Sequence, residues 1–511
     1  MTVEQLLHGE IAGTSLSPRL SSKQISGLQY DSRKLQPGEL FFAFPGENVD
    51  GHQFTGSALK AGAAGIVSER EPPIGAERKD LRERWVRVKH GREALAKAAL
   101  RFYEHPDQRL KLTGVTGTNG KTTTVFLIDS VLRGAGFTTA RIGTVDHKVG
   151  EKSVTALNTT PESLDLVRYF TDLEEQKGTH ATLEVSSHAL ELRRVHGFDF
   201  HTVVFTNLSR DHLDFHSTME AYATAKKRLF EGAGGATPRF AVINQDDAFG
   251  KELSEIGGFE TLTYGRSKGA TVRADKVEAT ADSLRFQVLA PSGSRAIAAR
   301  LRGGFNVPNM LAAIATGLSH GLDLETVAAG IESCPPIAGR FEIIDCGQPF
   351  LIVVDYAHTD DALENLIRAA RSLLEQAKQP GRVPTGRVLT GRVLTMFGCG
   401  GDRDRTKRPL MGEIAGRFSD MVILTSDNPR SEDPLNIMND VLVGLKRVQS
   451  GFLLEPDRAQ AISKALKEAR KGDIVLLAGK GHETCQTVGR EKIPFDDRVV
   501  AREVLRGMGY G

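Results

Sequence analysis

The feature that constrains this chain most is a strand, loop and helix pattern within residues 110–136. A short apolar run leads into the glycine-rich segment TGTNGKTT, and apolar residues at helical spacing follow it. Backbone amides exposed by Gly117 and Gly120 can converge on phosphate oxygens at the positive end of the following helix. Lys121 supplies a cation for the outer phosphates, and the next two threonines offer hydroxyls to magnesium. The sequence therefore predicts a nucleoside-triphosphate site.

The loop departs in one place from the usual spacing of such sites. Val115 occupies the position of the first glycine, and Gly114 lies one residue too early. An ordinary turn between a strand and a helix is the alternative interpretation. We favour the phosphate site because the loop has the strand before it and the helix after it that such a site requires.

Length and charge restrict the class of protein. At 511 residues the chain is expected to form about two to four domains. The 66 basic and 64 acidic residues nearly cancel, so no charge excess indicates nucleic acid or a membrane surface as a partner. The four cysteines have no metal-ligand spacing, and no apolar run approaches the roughly 20 residues that span a bilayer. The N-terminal segment lacks the pattern of a secretory signal. We expect a cytoplasmic protein without membrane insertion.

Strands alternate with helices along the chain, which predicts parallel sheets joined by right-handed crossovers. We expect three such α/β units, with these bounds: 1–108, 109–337 and 338–511. The first unit contains a polar segment with two interpretations. It is either an ordinary turn or a binding site for a phosphate or sugar, and it comprises Asp31, Ser32 and Arg33. Residues 260–300 alternate as in an antiparallel meander.

Two polar clusters in the second unit follow β-branched runs. The first spans residues 184–188, and the second contains Asp211, His212 and Asp214. The carboxyl ends of parallel strands meet at one edge of a sheet, where α/β proteins place their chemistry. One ligand from each cluster could complete a magnesium shell with a loop threonine. Alternatively, the histidines satisfy local backbone groups and the acids cap helices.

Two further segments each allow a structural and a ligand-binding interpretation. Thr160 is a candidate helix N-cap with a proline at the first helical position, but Asn158, Thr159 and Thr160 could equally hold a ligand. Asn306 and Asn309 precede a helix of small residues, where their amides could bind a purine edge or cap the helix. In the third unit, the strands end in turns rich in charged residues, of which DNPR at 427–430 is the most distinctive.

Eight segments in these three units together resemble one family. They occur in this order: TGTNGKTT, EVSSHAL, TNLSRDHLD, FNVPN, DYAHT, FGCGGDRDRTKRP, DNPR and GKGHE. This set is similar to that of the Mur ligase family, and the resemblance extends from about Tyr30 to Asp497. It implies a UDP-binding N-terminal α/β domain, a central P-loop ATPase-like domain with a parallel sheet, and a C-terminal Rossmann-like domain.

The resemblance also implies an activity. The chain would use ATP and Mg²⁺ to add meso-diaminopimelate to the D-glutamate side-chain carboxylate of UDP-N-acetylmuramoyl-L-alanyl-D-glutamate in peptidoglycan synthesis. The reaction would pass through an acyl phosphate and release ADP and phosphate. Its partners would be these small molecules, and we expect a monomer. The same reaction with L-lysine, a folylpolyglutamate-type ligation and a nucleotide-binding module without turnover remain alternatives.

The residues implied by the resemblance fall into four groups. The ATP site would comprise Gly117, Thr118, Asn119, Gly120, Lys121, Thr122, Thr123, Asn306, Asn309, Arg340, Asp355 and His358. The UDP-muramoyl dipeptide would meet Tyr30, Ser32, Glu47, Asn48, Val49, Asn158, Thr159, Thr160, Ser186 and Arg194. Diaminopimelate would meet Arg403, Asp427, Asn428, Pro429, Arg430, Gly479 and Glu483. Magnesium would be held by Thr122, Glu184 and His212.

Catalysis would depend on Lys121, Glu184, His212 and Lys226 in this interpretation. Lys226 matches the family lysine that is carried as a carbamate (N6-carboxylysine), whereas its neighbour does not. Two positions depart from the family pattern: Leu192 falls where some relatives have a substrate-contacting glutamine, and Asp360 replaces the proline usual after YAHT. Arg430 would select diaminopimelate, because a guanidinium can bind its terminal carboxylate through two hydrogen bonds and repels the ammonium of lysine.

Overall fold

The computed structural model describes residues 1–13, 16–46, 49–72, 79–280, 283–377, 389–448 and 451–511. Three large sheets follow one another along the chain, and a two-stranded hairpin lies near the C-terminus. Most neighbouring strands of the three large sheets are parallel, and helices connect many of them. This mixed α/β architecture confirms the predicted fold class.

The first sheet has four parallel strands in the order β1-β2-β3-β4. They are β1 (Gly27–Gln29), β2 (Glu39–Ala43), β3 (Gly65–Ser68) and β4 (Trp85–Arg87). Its helices are α1 (Val3–Leu6), α2 (Pro18–Ser21), α3 (Thr55–Lys60), α4 (Lys79–Glu83), α5 (Gly91–Phe102) and α6 (Pro106–Arg109), with a 3-10 turn at Gly51–Phe54. Phe41 and Phe42 in β2 are both buried and belong to different apolar clusters, as expected for a strand covered on both faces.

The central sheet has eleven strands in the order β15-β14-β13-β12-β11-β10-β5-β9-β6-β7-β8. The inner strands are β5 (Lys111–Thr116), β6 (Thr139–Ile142), β9 (His180–Glu184), β10 (Phe200–Phe205), β11 (Phe240–Asn244) and β12 (Glu260–Gly265), and they pair in parallel. The outer strands are β7 (Asp146–Val149), β8 (Lys152–Thr155), β13 (Val272–Ala279), β14 (Leu284–Ala290) and β15 (Gly293–Ala299). The predicted meander is present as β13-β14-β15, whereas β12 pairs in parallel with β13.

Helices cover both faces of this sheet. They are α7 (Lys121–Gly134), α8 (Ser163–Glu175), α9 (Ser187–Glu191), α10 (Leu213–His216), α11 (Met219–Phe230), α12 (Ala248–Ser254), α13 (Val307–Ser319) and α14 (Leu324–Ser333), with a 3-10 turn at Gly304–Asn306. Helices α7, α13 and α14 pack together over one face. A Cβ at Gly330 of α14 would lie 2.5 Å from the Cα of Val131 in α7, so only glycine permits this approach.

The third sheet has six strands in the order β16-β17-β21-β18-β19-β20, and only β16 is antiparallel to its neighbour. The strands are β16 (Glu342–Ile344), β17 (Leu351–Asp355), β18 (Val393–Phe397), β19 (Met421–Leu424), β20 (Phe452–Leu454) and β21 (Ile474–Ala478). The hairpin comprises β22 (Cys485–Val488) and β23 (Glu491–Pro494). The helices are α15 (Asp360–Ala377), α16 (Lys407–Phe418), α17 (Pro434–Leu445), α18 (Arg458–Glu468) and α19 (Asp497–Gly507).

The predicted entry of α8 is wrong by two residues. The helix begins at Ser163 with Glu162 at the N-cap, and no side chain caps it. Thr160 instead donates its hydroxyl hydrogen to the backbone oxygen of Glu184, 2.7 Å away. This tertiary hydrogen bond holds Thr160 in the loop, so its capping preference is not used. None of the helices in the described ranges combines the length and apolarity needed to cross a bilayer.

Candidate active site

A cavity of about 710 Å³ opens where the central and third sheets face each other. It lies at the carboxyl ends of β5, β9, β10 and β17, the edge where α/β sheets place ligands. The loop before α7, the polar residues after β9 and β10, and Arg403 from the third unit all line it. Lys407 of α16 and Asp211 after β10 form a buried ion pair of 3.3 Å across this junction. The predicted polar clusters therefore meet in one cleft.

The loop between β5 and α7 has the conformation that its glycines allow. Gly117 and Gly120 have φ angles of +148° and +87°. A Cβ would lie 1.9 Å from Thr206 Oγ1 at the first and 2.3 Å from Asn309 Oδ1 at the second. Side chains at these two positions would collide with the walls of the loop.

Lys121 is held directly over this loop. Its Nζ donates to the backbone oxygens of Gly117 and Thr118, each at 2.9 Å. Burial lowers the pKa of Lys121, and the nearby carboxylates of Glu184 and Asp211 oppose this shift. The ammonium can exchange its two carbonyl partners for phosphate oxygens without leaving the cavity.

Two oxygen donors suited to magnesium face the same cavity. The carboxylate of Glu184 accepts hydrogen bonds from Thr144, at 2.8 Å from its backbone nitrogen and at 3.0 Å from its hydroxyl. The hydroxyl of Thr122 accepts a hydrogen bond from Arg340 at 2.9 Å. Mg²⁺ takes carboxylate and hydroxyl oxygens, and it completes its shell with water and substrate phosphates rather than with an all-protein cage. The donor set therefore fits this ion, although the described residues contain no cluster of three or more His, Cys, Asp or Glu side chains that could hold a metal.

His212 also lines the cavity, next to Asp211. Its Nε2 lies 3.3 Å from a carboxylate oxygen of Asp211, and its backbone has a left-handed φ of +55°. Burial lowers the pKa of His212 to about 2, so the imidazole is neutral near pH 7. A neutral imidazole keeps a lone pair for a ligand, but it is a softer donor than the oxygens that Mg²⁺ prefers.

Lys226 and Lys227 have opposite environments on helix α11. The Nζ of Lys226 is buried, donates to the backbone oxygen of Gly117 at 2.9 Å and lies 4.3 Å from the ring centre of Tyr222. Burial lowers the pKa of Lys226 well below its usual value, and the charge of Lys121 lowers it further. Lys227 is 45% exposed and pairs with Glu231 at 3.6 Å. The structure thus brings only the first of these lysines into the site.

The two asparagines at the start of α13 hydrogen-bond to each other rather than cap the helix. Asn309 donates to Asn306 Oδ1 at 2.9 Å, and Asn306 makes no side-chain cap of α13. Both line the cavity. Asp355 and His358 line it as well, from the end of β17 and the turn that follows. Burial raises the pKa of Asp355 to about 6, and Arg340 opposes this shift.

The residues predicted to meet the muramoyl dipeptide separate into two groups. Those of the central unit line the cavity; they are Asn158, Thr159, Thr160, Ser186 and Arg194. Arg194 is oriented by Glu162, with 3.1 Å between Nε and the carboxylate. Leu192, at the position that departs from the family pattern, is also in the lining. Asp360, the other departure, begins α15.

Of the predicted residues of the first unit, Tyr30, Ser32 and Val49 lie outside the lining of this cavity. Tyr30 donates its hydroxyl hydrogen to Asp165 of α8 at 2.5 Å, so it contacts the central unit. Ser32 is half-buried in a turn, and Val49 is 50% exposed. Glu47 and Asn48 lie outside the described residues. Arg33 pairs with Asp31 at 2.8 Å, as in the ordinary-turn interpretation of this segment.

The predicted amino-acid pocket adjoins the cavity through Arg403. The guanidinium of Arg430 donates to the backbone oxygen of Gly401 at 2.6 Å. A Cβ at Gly400 would meet both arginine side chains, 2.9 Å from Arg430 and 3.9 Å from Arg403. Within the described ranges, neither guanidinium lies at ion-pair distance from a carboxylate, and the hydrogen bonds of both go to backbone oxygens, so both remain available to an anion. Burial lowers the pKa of Arg430, and the charge of Arg403 adds to this.

The backbone around Arg430 is fixed by the hairpin. Arg430 has a left-handed φ of +51°, and its nitrogen and oxygen bond to Thr487 and Gly489 at 3.1 and 2.7 Å. Asn428 donates to Glu483 at 2.9 Å. The remaining predicted residues, Asp427, Pro429 and Gly479, belong to the same turns. The structure therefore brings all seven predicted residues of this pocket together around the ends of β18, β19 and β21.

Sequence reasoning missed several residues that organise the site. Thr144 holds Glu184, and Asp361 accepts a hydrogen bond from Asn119 of the phosphate loop at 2.7 Å. Lys480 is fully buried between predicted pocket residues. Lys480 lies within the segment GKGHE and shortly after an apolar strand, and these were the available signals. The contacts of Thr144 and Asp361 depend on how segments distant in sequence pack together, so no local sequence pattern predicts them.

Comparison with known proteins agrees with this architecture. Residues 24–103 match the catalytic domain of the Mur ligase family, residues 115–317 the Mur ligase middle domain, and residues 339–481 the Mur ligase glutamate ligase domain. The chain belongs to the Mur ligase family. This Mur ligase is 54% identical to UDP-N-acetylmuramoyl-L-alanyl-D-glutamate–2,6-diaminopimelate ligase of Solibacter usitatus over 100% of this chain and 99% of the relative.

Further relatives are ligases of the same name. The one from Geobacillus kaustophilus is 45% identical over 95% of this chain and 96% of its own. A solved structure of such a ligase aligns with a TM-score of 0.66 at 32% identity and covers 100% of both chains. A folylpolyglutamate synthase of Mycobacterium tuberculosis aligns with a TM-score of 0.60 at 15% identity, over 76% of this chain and 92% of its own, and is alike in fold alone.

Proposed function

We propose that this Mur ligase joins meso-diaminopimelate to the D-glutamate side-chain carboxylate of UDP-N-acetylmuramoyl-L-alanyl-D-glutamate, with ATP as co-substrate. The observation that carries the proposal is the pair Arg403 and Arg430, two guanidinium groups free of carboxylate partners in the described ranges, beside the cavity that Lys121 lines. A carboxylate at the far end of the incoming amino acid is the group that such a pair binds best. The names of the relatives at 54% and 45% identity support the same substrates.

The reaction begins with activation of a poor acyl donor. A carboxylate oxygen of the substrate attacks the γ-phosphorus of ATP, the bond from that phosphorus to the bridging oxygen breaks, and ADP leaves. Lys121 and the amides of the loop at 117–120 stabilise the negative charge on the transferring group. The product of this step is an acyl phosphate.

Amide formation completes the reaction. The neutral amine of diaminopimelate attacks the acyl carbon, phosphate leaves with the bonding electrons, and the nitrogen loses a proton. Arg403 and Arg430 would hold the distal carboxylate, while Glu483 would receive the distal ammonium. Fixing both reactants between the central and third units supplies much of the rate, and a closed cleft keeps water from the acyl phosphate.

Magnesium and a modified lysine complete the proposed site. Thr122, Glu184 and His212 would hold Mg²⁺, which neutralises phosphate charge when bound. Lys226 would carry a carbamate, because burial lowers the pKa of its amine and so favours the neutral form that attacks carbon dioxide. Asn306, Asn309, Arg340, Asp355 and His358 would meet ATP. The protein would act as a cytoplasmic monomer on small molecules, without membrane insertion.

The test is a single-turnover product assay with one amino acid at a time. Purified protein receives ATP, Mg²⁺, the UDP-muramoyl dipeptide and either meso-diaminopimelate or L-lysine, and the nucleotide product is weighed by mass spectrometry. We expect the diaminopimelate adduct together with ADP and phosphate. A lysine adduct alone would transfer the assignment to the lysine-adding reaction, and no adduct with either amino acid would refute the ligase proposal.

A further inference from the structure

Lys480 occupies the centre of the amino-acid pocket. Its side chain is 0% exposed, and its Nζ lies 2.7 Å from Glu483 Oε2, 3.2 Å from Asn428 Oδ1 and 3.8 Å from Asp427 Oδ1. Lysine is rarely buried unless opposite charges surround it, because removing an ammonium from water is costly. The ammonium of Lys480 is therefore an integral part of the pocket.

The contacts of Lys480 fix the residues that are expected to touch the amino acid. Glu483 Oε2 accepts hydrogen bonds from both Lys480 and Asn428. Asn428 Oδ1 accepts from Lys480 and from the backbone nitrogen of Thr487, at 2.9 Å, in the hairpin that also holds Arg430. One buried cation thus joins the turn after β19, the turn after β21 and the hairpin.

The charges of the pocket do not cancel without a ligand. Two carboxylates, Asp427 and Glu483, surround the single ammonium of Lys480, which leaves one negative charge. Asp427 Oδ1 is buried without a hydrogen-bond partner in the described part of the chain, and burial raises the pKa of Asp427. The neighbouring Arg458 is matched by its own buried partner, Asp497, at 2.7 Å.

Arg403 and Arg430 add two positive charges at the other side of the pocket. The five charged side chains therefore sum to one positive charge. An amino-acid end that carries both an ammonium and a carboxylate is neutral and can satisfy both sides. An end that carries only an ammonium adds a second positive charge to a partly buried site, where like charges are costly.

We propose that Lys480 is a specificity-determining residue, which positions Glu483 and cancels one of two carboxylate charges so that the pocket accepts a zwitterionic end and rejects a purely cationic one. This inference rests on the proposed function. Selection of diaminopimelate over lysine would then depend on the buried ammonium of Lys480 as well as on the guanidinium of Arg430. Without Lys480 the pocket would be neutral and would tolerate the ammonium end of lysine.

The experiment compares amino-acid preference in three proteins. Lys480→Met keeps the length of the side chain and removes its charge, and Lys464→Met removes an exposed lysine of α18 as the control. Each protein receives mixtures of diaminopimelate with a large excess of L-lysine, and the two products are counted by mass spectrometry. We expect the ratio of kcat/KM values, diaminopimelate over lysine, to fall at least about tenfold in Lys480→Met and to stay unchanged in the control. Equal losses for both amino acids would mean a merely structural role and would refute the inference.

A second variant tests the same idea if Lys480→Met does not fold. Glu483→Gln leaves Lys480 in place and makes the pocket more positive, so both activities should fall while the ratio rises. A fall of the ratio in this variant would contradict the inference. Wild-type protein that forms no diaminopimelate product refutes the proposed function itself, whereas wild-type product with an unchanged ratio in both variants refutes only the role of Lys480.

Discussion

The side-chain nitrogen of Lys226 lies 2.9 Å from the backbone oxygen of Gly117, so helix α11 is joined directly to the phosphate loop. The next residue, Lys227, points to solvent and pairs with Glu231. Two lysines adjacent in sequence thus differ in burial and in partner. This difference supplies an internal control for the chemistry proposed at Lys226.

We expect carbon dioxide to be needed for full activity. Arginine at position 226 keeps a positive charge but cannot form the carbamate, so Lys226→Arg should lose about a hundredfold to a thousandfold in kcat, as when a charge-stabilising group is removed. ADP release measures this loss, and the signal of ¹³C-labelled bicarbonate bound to the protein should disappear in the variant. Lys227→Arg should retain both. Full activity of wild-type protein freed of bicarbonate would contradict the prediction.

Glu184 should determine how much magnesium the enzyme needs. Its carboxylate is oriented by two hydrogen bonds from Thr144, so glutamine at this position keeps the shape but loses the charge. We expect Glu184→Gln to raise the Mg²⁺ concentration for half-maximal ADP release about 10–100-fold. Glu191→Gln serves as the control, because it changes a carboxylate at the end of α9 that pairs with Arg228 of α11. An unchanged magnesium requirement in Glu184→Gln would exclude this carboxylate from the metal site.

Local patterns in the sequence predicted the phosphate loop well. Gly117, Gly120 and Lys121 work through the backbone of one turn, so their spacing alone carries the information. For Asn306 and Asn309, the sequence allowed either binding of a purine edge or capping of the helix. The structure excludes the capping role for Asn306, because its side chain makes no cap hydrogen bond to α13. The predicted start of α8 was wrong because Thr160 forms a tertiary hydrogen bond, which outweighs its preference for the N-cap position.

Contacts between distant segments could not be predicted in the same way. Asp211 and Lys407 are 196 residues apart in sequence and form a buried ion pair where the central and third units meet. Both occur in segments that were singled out, yet neither segment indicates the other as its partner. The burial of Lys480 likewise depends on three turns that meet only after the third sheet has formed.

Arg430 should control the use of diaminopimelate. Its guanidinium has no carboxylate partner in the described ranges, and its backbone is held by the hairpin, so alanine removes the charge with little effect on the turn. We expect Arg430→Ala to cost about 2–5 kcal/mol in transition-state binding, as when a charge pair loses one member. The value of kcat/KM for diaminopimelate measures this loss, and Arg417→Ala on α16 is the exposed control. Unchanged catalytic efficiency in Arg430→Ala would overturn the assignment.

Asp355 should make the nucleotide-free protein less stable as the pH rises. Burial raises the pKa of Asp355 to about 6 from an ordinary 3.8, so the folded state favours the protonated acid. A folded-state pKa above the unfolded one contributes stability that is full below the unfolded value and lost as pH rises through the folded value. Between about pH 5 and about pH 7 this loss amounts to about 1 kcal/mol. Asparagine cannot titrate, so the melting temperature of Asp355→Asn minus that of wild type should become more positive over this interval. Asp172→Asn, at an exposed position on α8, should show no such trend. A constant difference for Asp355→Asn would mean that this carboxylate is already ionised in the folded protein at the lower pH.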